Sequence, residues 1–570
     1  MSSARLRSLD CVITPPDNGM SRVDVSASVG VKEYSDSPIQ HEVSPELKII
    51  SSPIKLTHIK DLSPTKNVDT VSLSDLLGDP LIKECWQFNY LFDVDFIMRH
   101  LDEDTRGLVQ VRIIHGLWKK EDINRLALEE AAQRYENVQL ITAYMPEPFG
   151  THHSKMMILI RQDDHAQVVI HTANMISQDW RNMCQAVWRS PLLPLDPTKT
   201  MKNQSHPIGS GARFQMDLLQ YLKAYGKKLT DLSDQLVKYD FSHIRAAFIA
   251  STPCRQDPKA IIPSTTSWGW PGLKQVLQHV PKSASQDGTP NVNVQVSSVA
   301  TLDRTGDWLQ NFFSVLSGSK VEFRSKEVPP SLALDKTTRR EKPKFHVIFP
   351  VADTIRRSLD GYASGGSIHW KLQSAAQQAQ LAYFKPYLCH WAPDSSSSPG
   401  SSVGTKVVSK ASADNPYDPG PGQLMFREAG RRRAAPHIKT YIRFSDSSQT
   451  NIDWAMLTSA NLSTQAWGSL PGKKDGKVRI SSWETGVVVW PDLLGLERAI
   501  KEERQKVSMV PTFGQDVPRH EQVDMMTKEG AAIIVGLRMP YDLPLVPYAD
   551  EDEPWCATAE HELPDWKGIF

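Results

Sequence analysis

Cysteine is sparse in this 570-residue chain, and the placement of its six copies excludes more than their number does. Cys11, Cys85, Cys184, Cys254, Cys389 and Cys556 stand apart, with no CxxC pair and no spacing that suits zinc. Neither a disulfide framework nor a structural zinc site is expected. An excess of one charge is missing too: 65 Lys+Arg balance 65 Asp+Glu, which excludes a globally basic nucleic-acid binder and an acidic tail protein. Any contact with DNA must then be local. No stretch approaches the roughly 18 uninterrupted apolar residues of a membrane span; the longest candidate is Ala531 to Leu537. Arg5, Arg7 and Asp10 precede no apolar run of the kind a secretory leader carries. A soluble protein of a reducing, intracellular compartment is expected.

What is present is an ordinary globular composition, 40% hydrophobic and 23% charged, which rules out wholesale disorder. The length suits three or four average domains or two large ones. Residues 1–53 are rich in Ser, Pro and Asp, carry Ser37-Pro38, Ser44-Pro45 and Ser52-Pro53, and read as a disordered tail. A second polar stretch, 393–422, contains Ser395 to Ser398 and Pro419-Gly420-Pro421-Gly422, and reads as a flexible loop. A milder break around Ser251 to Pro263 divides the folded part into residues 54–250 and 251–570. Apolar runs at Met156–Ile160, Val168–His171, Tyr441–Phe444, Ala455–Thr458 and Gly486–Trp490 predict strands. Helical patterns at Leu126–Tyr135, Met216–Tyr225 and Leu494–Lys506 alternate with them, so α/β layers are expected.

The two segments share a cassette. His153-Ser154-Lys155 leads into Met156–Ile160 and then Val168 to Asn174; His437-Ile438-Lys439 leads into Thr440–Arg443 and then Ala455 to Asn461. Trp180 and Trp467 each follow six residues after the Asn, and Gln185 and Glu484 each open an apolar run ending at Pro191 and Pro491. A lone HxK is weak, since with 17 His roughly one arises by chance. His58-Ile59-Lys60 and His369-Trp370-Lys371 serve as controls: neither is followed by an apolar strand ending in Ala-Asn, and neither is assigned to the site. Duplication of the whole cassette points to two related halves with one half-site each.

The spacing has a chemical meaning. Residues i and i+2 of a strand share a face, so the His and Lys of HxK project together, and an Asn ending the next strand presents its amide to the same point. Two such half-sites supply two imidazoles, two ammoniums and two amides, an arrangement suited to the oxyanion of a phosphodiester. No carboxylate cluster stands near to hold Mg²⁺, and paired lysines repel zinc. No metal and no cofactor are expected.

These paired cassettes resemble those of the phospholipase D superfamily, and the surrounding text resembles the tyrosyl-DNA phosphodiesterases in particular. The likeness lies in Phe88-Asn89-Tyr90 with Phe92-Asp93-Val94-Asp95, in Tyr144 to Met157, in His437-Ile438-Lys439-Thr440-Tyr441, in Thr458 to Ser463 and in Glu484-Thr485-Gly486-Val487, and runs from about Ile54 to the C-terminus. Phospholipase D motifs carry an Asp five residues after the Lys; here those positions are Ile160 and Phe444, as in tyrosyl-DNA phosphodiesterases. A lipid hydrolase is the disfavoured alternative, with a general metal-independent nuclease beside it.

The resemblance implies two similar phospholipase D-like α-β-α sandwich domains with pseudo-two-fold symmetry and the active site at their interface. It implies a DNA-repair phosphodiesterase that hydrolyses the bond between a topoisomerase tyrosine and a DNA 3′-phosphate. His153 would be the nucleophile, forming a phosphohistidine, and His437 the acid and then the base; Lys155, Lys439, Asn174 and Asn461 would bind phosphate. Gln185 and Glu484 would orient the imidazoles, with the pairing left open. Phe149, Ser297 and Ser298 would contact DNA, against the alternatives of a core aromatic and a turn, and Tyr90 would line the peptide side. His152 and Thr151 would touch substrate or hold the strand, and Arg431-Arg432-Arg433 reads first as a solvated loop. Expected partners are DNA with 3′-phosphotyrosyl or other blocked 3′ ends and a topoisomerase-derived peptide; no membrane, a monomer and a nuclear location complete the expectation.

Overall fold

Strand formation follows directly from runs such as Met-Met-Ile-Leu-Ile, in which alternate side chains must be buried on opposite faces. In the computed structural model Met156, Ile158 and Ile160 enter one core while Met157 and Leu159 enter another. The structure describes residues 47–199, 205–260, 262, 264–282, 289–318, 342–393, 426–495 and 505–570. Most of the expected tail, nearly all of the 393–422 loop and most of the expected helix Leu494–Lys506 lie outside the described residues.

Two large sheets carry the same topology. The first runs Ile54–Leu56, Ala186–Arg189, His165–His171, Met156–Arg161, Ile82–Phe88, Gln110–His115, Val138–Thr142, with Leu193–Pro194 added to one strand. The second runs Ala247–Ser251, Glu484–Val489, Ile452–Thr458, Thr440–Phe444, Asn291–Gln295, Lys344–Phe349, Leu388–His390. In both, the successive pairings are antiparallel up to the fifth strand and parallel for the last two. The repeat seen in the HxK cassettes therefore extends over whole sheets.

Each sheet packs helices on its outer face. Val94–His100 and Ile123–Ala132 cover the first, and Gly269–His279 and Asp307–Leu316 the second. Between the sheets lies a shared core, in which Ile158, Ile170 and Trp188 of the first meet Ile442, Leu457 and Val487 of the second. The helix Gly211–Lys223, capped by the Ser210 hydroxyl accepting from the Arg213 N–H, enters this core through Phe214, whose ring lies 5.4 Å from both Trp188 and Phe248. Its cap starts it five residues before the predicted Met216.

Two boundaries differ from expectation. Lys48–Ile50 is a strand parallel to Ile533–Arg538, so order begins within the stretch read as tail. Its short Lys-Ile-Ile run is too brief to stand out beside the Ser-Pro steps. The division after residue 250 cuts through Ala247–Ser251, whose five residues register with Val488 to Glu484 of the second sheet. The Pro-containing break marked the end of that strand, not its beginning.

Candidate active site

Each HxK segment is fastened by the other half. The His153 N–H donates to the Trp483 carbonyl at 2.9 Å, and the Lys155 N–H to Thr485 Oγ1 at 3.2 Å. Reciprocally, Ala435–Pro436 pairs with Met183–Cys184, and the Ile438 N–H donates to the Cys184 carbonyl at 2.8 Å. The residues next in line, Glu484 and Gln185, thereby reach across to the opposite imidazole. This crossing settles a pairing that spacing left open.

His153 Nδ1 lies 3.0 Å from Glu484 Oε2, and Glu484 also accepts from Ser459 Oγ at 2.5 Å. Burial raises the Glu484 carboxyl, but His153, Ser459 and Lys155 outweigh it and leave it below its usual value. A carboxylate can only accept, so the proton of the neutral ring sits on Nδ1. Nε2 then carries its lone pair into the cleft, where Lys155 Nζ donates to it at 3.1 Å. Burial and Lys155 hold the His153 imidazole below the usual histidine value, so it stays neutral and nucleophilic.

His437 is backed differently. Gln185 Nε2 lies 2.9 Å from its Nδ1, and the amide is turned that way because Thr172 Oγ1 donates to Gln185 Oε1 at 2.7 Å. With Gln185 donating to Nδ1, the proton of the ring sits on Nε2, facing the cleft, before any second proton arrives. Asp179 Oδ2 stands 3.2 Å from the same Nδ1 and is ready to accept when the ring gains a second proton. Burial, then Lys439, Lys155 and His153, hold His437 well below the usual histidine value. A bound anion opposes those lysines and draws the ring toward imidazolium.

Both lysines are wholly buried. Burial pushes the Lys155 ammonium down to about 8 and the Lys439 ammonium well down, the second with the further help of Lys155. Two ammoniums held in a desolvated cleft favour an anion strongly. Lys439 Nζ donates to the His437 carbonyl. Asn461 Oδ1 accepts from the Ser297 N–H and the Ser298 N–H, each at 3.0 Å, which leaves its Nδ2 as a donor for the cleft. Asn174 is fixed through its backbone: its N–H donates to Asp179 Oδ2 at 2.6 Å, and its carbonyl accepts from Trp180 Nε1 at 3.0 Å. That last bond accounts for Trp180, six residues on in the first cassette.

The structure brings His153, Lys155, Asn174, Gln185, His437, Lys439, Asn461 and Glu484 together. Tyr90 belongs with them, its ring 5.7 Å from that of His153. Phe149 is 81% exposed and so is no core aromatic. Ser297 is buried and Ser298 half-buried, with their N–H groups on Asn461. Ser297 positions the asparagine through its N–H at 3.0 Å and its hydroxyl at 3.3 Å. His152 holds the strand, with Nδ1 on the Asn89 carbonyl and Nε2 on Tyr225 Oη, both at 2.9 Å. The Arg431 to Arg433 run is not a solvated loop: Arg431 is buried and donates to the Lys66 carbonyl, and Arg432 pairs with Asp542 at 2.6 Å.

Two residues escaped the sequence reading. Asp179 has no counterpart in the second half, where Ala466 stands five residues after the Asn. Comparing the repeats therefore hid it. His369, set aside as a control, is exposed and bridged to Ser298, and its charge is felt at His437. It comes from a separate loop, so no spacing linked it to the site. Among the described residues no group of three or more His, Cys, Asp or Glu side chains could hold a metal ion, and no helix is long and apolar enough to cross a membrane.

A family model described as tyrosyl-DNA phosphodiesterase matches residues 53–549. The chain is 30% identical to a probable tyrosyl-DNA phosphodiesterase of Schizosaccharomyces pombe, over 93% of this chain and 97% of that one. It is 28% identical to tyrosyl-DNA phosphodiesterase 1 of Arabidopsis thaliana, over 89% and 74%. Its fold matches the crystal structure of the yeast tyrosyl-DNA phosphodiesterase with a TM-score of 0.57, covering 89% of this chain and 99% of that one at 20% identity.

Proposed function

Because the chain belongs to the tyrosyl-DNA phosphodiesterase family, we propose that its crossed half-sites hydrolyse a 3′-phosphotyrosyl bond in two steps, with His153 as nucleophile and His437 as acid and then base. The observation that carries the assignment is the unequal backing of the two imidazoles. A carboxylate behind His153 puts a lone pair in the cleft; an amide behind His437, with the Asp179 carboxylate beside it, lets that ring carry a proton there.

In the first step the 3′-phosphodiester lies between Lys155, Lys439, Asn174 and Asn461, and its charge favours the His437 imidazolium with Nδ1–H on Asp179. His153 Nε2 attacks phosphorus and forms a P–N bond. The P–O bond to tyrosine breaks, and His437 Nε2 gives its proton to the phenolate. A phenol of pKa about 10 leaves readily, so the acid matters only moderately here. In the second step His437, now neutral with its proton kept on Nδ1, takes a proton from water. That water attacks phosphorus, the P–N bond breaks, and His153 is restored beside a DNA 3′-phosphate.

The substrate class is DNA blocked at its 3′ end by a tyrosyl peptide, such as one derived from a topoisomerase. Both half-sites come from one chain, which suits a monomer, and the substrate implies work in the nucleus. Incubation with a single-stranded oligonucleotide bearing a 3′-phosphotyrosine in excess EDTA is expected to release a 3′-phosphate end. Absence of cleavage, or cleavage restored only by added metal, overturns the mechanism. His153→Ala is expected to abolish the covalent adduct and His437→Ala to let it accumulate; the reverse outcome exchanges the two roles.

A further inference from the structure

Arg431 and Arg538 are 1% and 2% exposed, and neither guanidinium is fully used by the protein around it. Arg431 Nη1 donates to the Lys66 carbonyl, and Arg538 Nη1 donates to the Val68 carbonyl at 3.3 Å. Those carbonyls are two residues apart on one loop, which brings the two side chains together there. In both arginines Nε and Nη2 are buried and find no acceptor among the described residues. Nε and Nη2 form one edge of the planar guanidinium, so two intact bidentate edges are left over in the same place.

Their charge is left over as well. Arg538 stands 3.5 Å from Asp516 Oδ1, but Lys55 holds the other oxygen of that carboxylate at 2.8 Å. Among the described residues no carboxylate pairs with Arg431, and Asp542 is taken by Arg432 and the Ala429 N–H. Each guanidinium is within electrostatic reach of Cys184, and that of Arg431 feels Arg538 too. Burial pushes the Cys184 thiol up to about 12, so it stays neutral and offsets neither. Two like charges this far from water are costly unless an anion pairs with them.

We propose that Arg431 and Arg538 together bind a small tetrahedral oxyanion of the phosphate class between their free edges. Each edge meets two oxygens, and the rigid planar fork matches that geometry as a lysine ammonium does not. The ion joins three segments far apart in the chain: the loop at Lys66 to Val68, the stretch from Arg431 to His437, and the end of the strand Ile533–Arg538. A cleft of about 350 Å³ lies between the first two, lined by Lys66, Arg432 and Arg433 against Asp61 and Glu428. The near-complete burial of both arginines restricts the ligand to a free ion rather than a phosphorylated chain. The site shares no residue with the catalytic cleft and does not depend on the proposed chemistry. Its role is to fasten the approach to the second HxK, not to take part in the reaction.

The test is thermal unfolding near neutral pH and at constant ionic strength, with chloride replaced stepwise by inorganic phosphate. It is run in K155A/K439A, so that the lysines of the catalytic cleft do not contribute. The midpoint is expected to rise by about 3 °C at about a hundredfold excess over Kd, the shift that linkage gives for a chain of this size. In K155A/K439A/R431M/R538M the rise is expected to vanish. Methionines fill the space of the two arginines without needing a counter-ion, so this variant is expected to fold. No rise in K155A/K439A, or an equal rise in the quadruple variant, overturns the proposal. An equal rise with O-phosphoserine in place of phosphate overturns the assignment to a free ion. Should either variant fail to fold, crystals of the wild type grown in selenate decide: anomalous density between the two guanidiniums is expected, and its absence overturns the site.

Discussion

Asp179 is the side chain on which the two steps diverge, since its Oδ2 accepts from the Asn174 N–H and also faces His437 Nδ1. Burial pushes this carboxyl up to about 6, against the pull of the Asn174 N–H, Lys155 and Lys439. Asp179→Asn fills the same space but is a far weaker acceptor for the imidazolium. It is expected to cut kcat by about 10²-fold, the scale of one positioned acid or base, and to slow release of the adduct more than its formation. Single-turnover assays that resolve the covalent species check this. Lys155 contributes to the alkaline limb. Its ammonium, held down to about 8 by burial, binds phosphate only while protonated, so kcat/KM is expected to fall as pH rises through about 8. The matching limb of kcat should lie higher, because the bound anion raises the lysine. At the acid end His153 must stay neutral, and burial with Lys155 moves that limb below the ordinary value of about 6.5. Profiles of kcat/KM and kcat against pH test both limbs. The HxK and Asn residues were legible in the sequence because they repeat. Asp179 was not, because it does not.

At the scale of elements, the His153–Glu484 pair depends on how closely two backbones approach. A Cβ built on Gly150 would meet the Ser481 carbonyl oxygen at 2.1 Å. Gly150→Ala must then push 147–153 away from 481–485 and disturb the His153–Glu484 pair. A misplacement of about 1 Å can cost 10²-fold in rate, and a loss of that order in kcat/KM is expected with little change in thermal midpoint, since the strand cores are untouched. Steady-state kinetics beside thermal unfolding distinguish the two effects. Strands were readable as elements wherever five or more apolar residues ran together, as at Met156–Ile160. Lys48–Ile50 was missed, since its pairing to Ile533–Val535 makes it a strand, and that partner lies at the other end of the chain. The bond from Ser297 to Asn461 was not legible for a related reason: its partner approaches only when the sheet folds.

For the whole molecule, zero net charge is an average that hides two buried lysines at the centre. The sequence by itself determined that there are two halves, that each brings a His, a Lys and an Asn, and that the chemistry concerns a phosphodiester. Those features are local, because strand periodicity fixes which side chains share a face and duplication marks them out. Only the tertiary structure decided that Glu484 backs His153 while Gln185, with Asp179 beside it, backs His437. That choice arises because each HxK is pinned by the strand entrance of the opposite half, a contact between residues some 250 to 330 positions apart that leaves no trace in spacing.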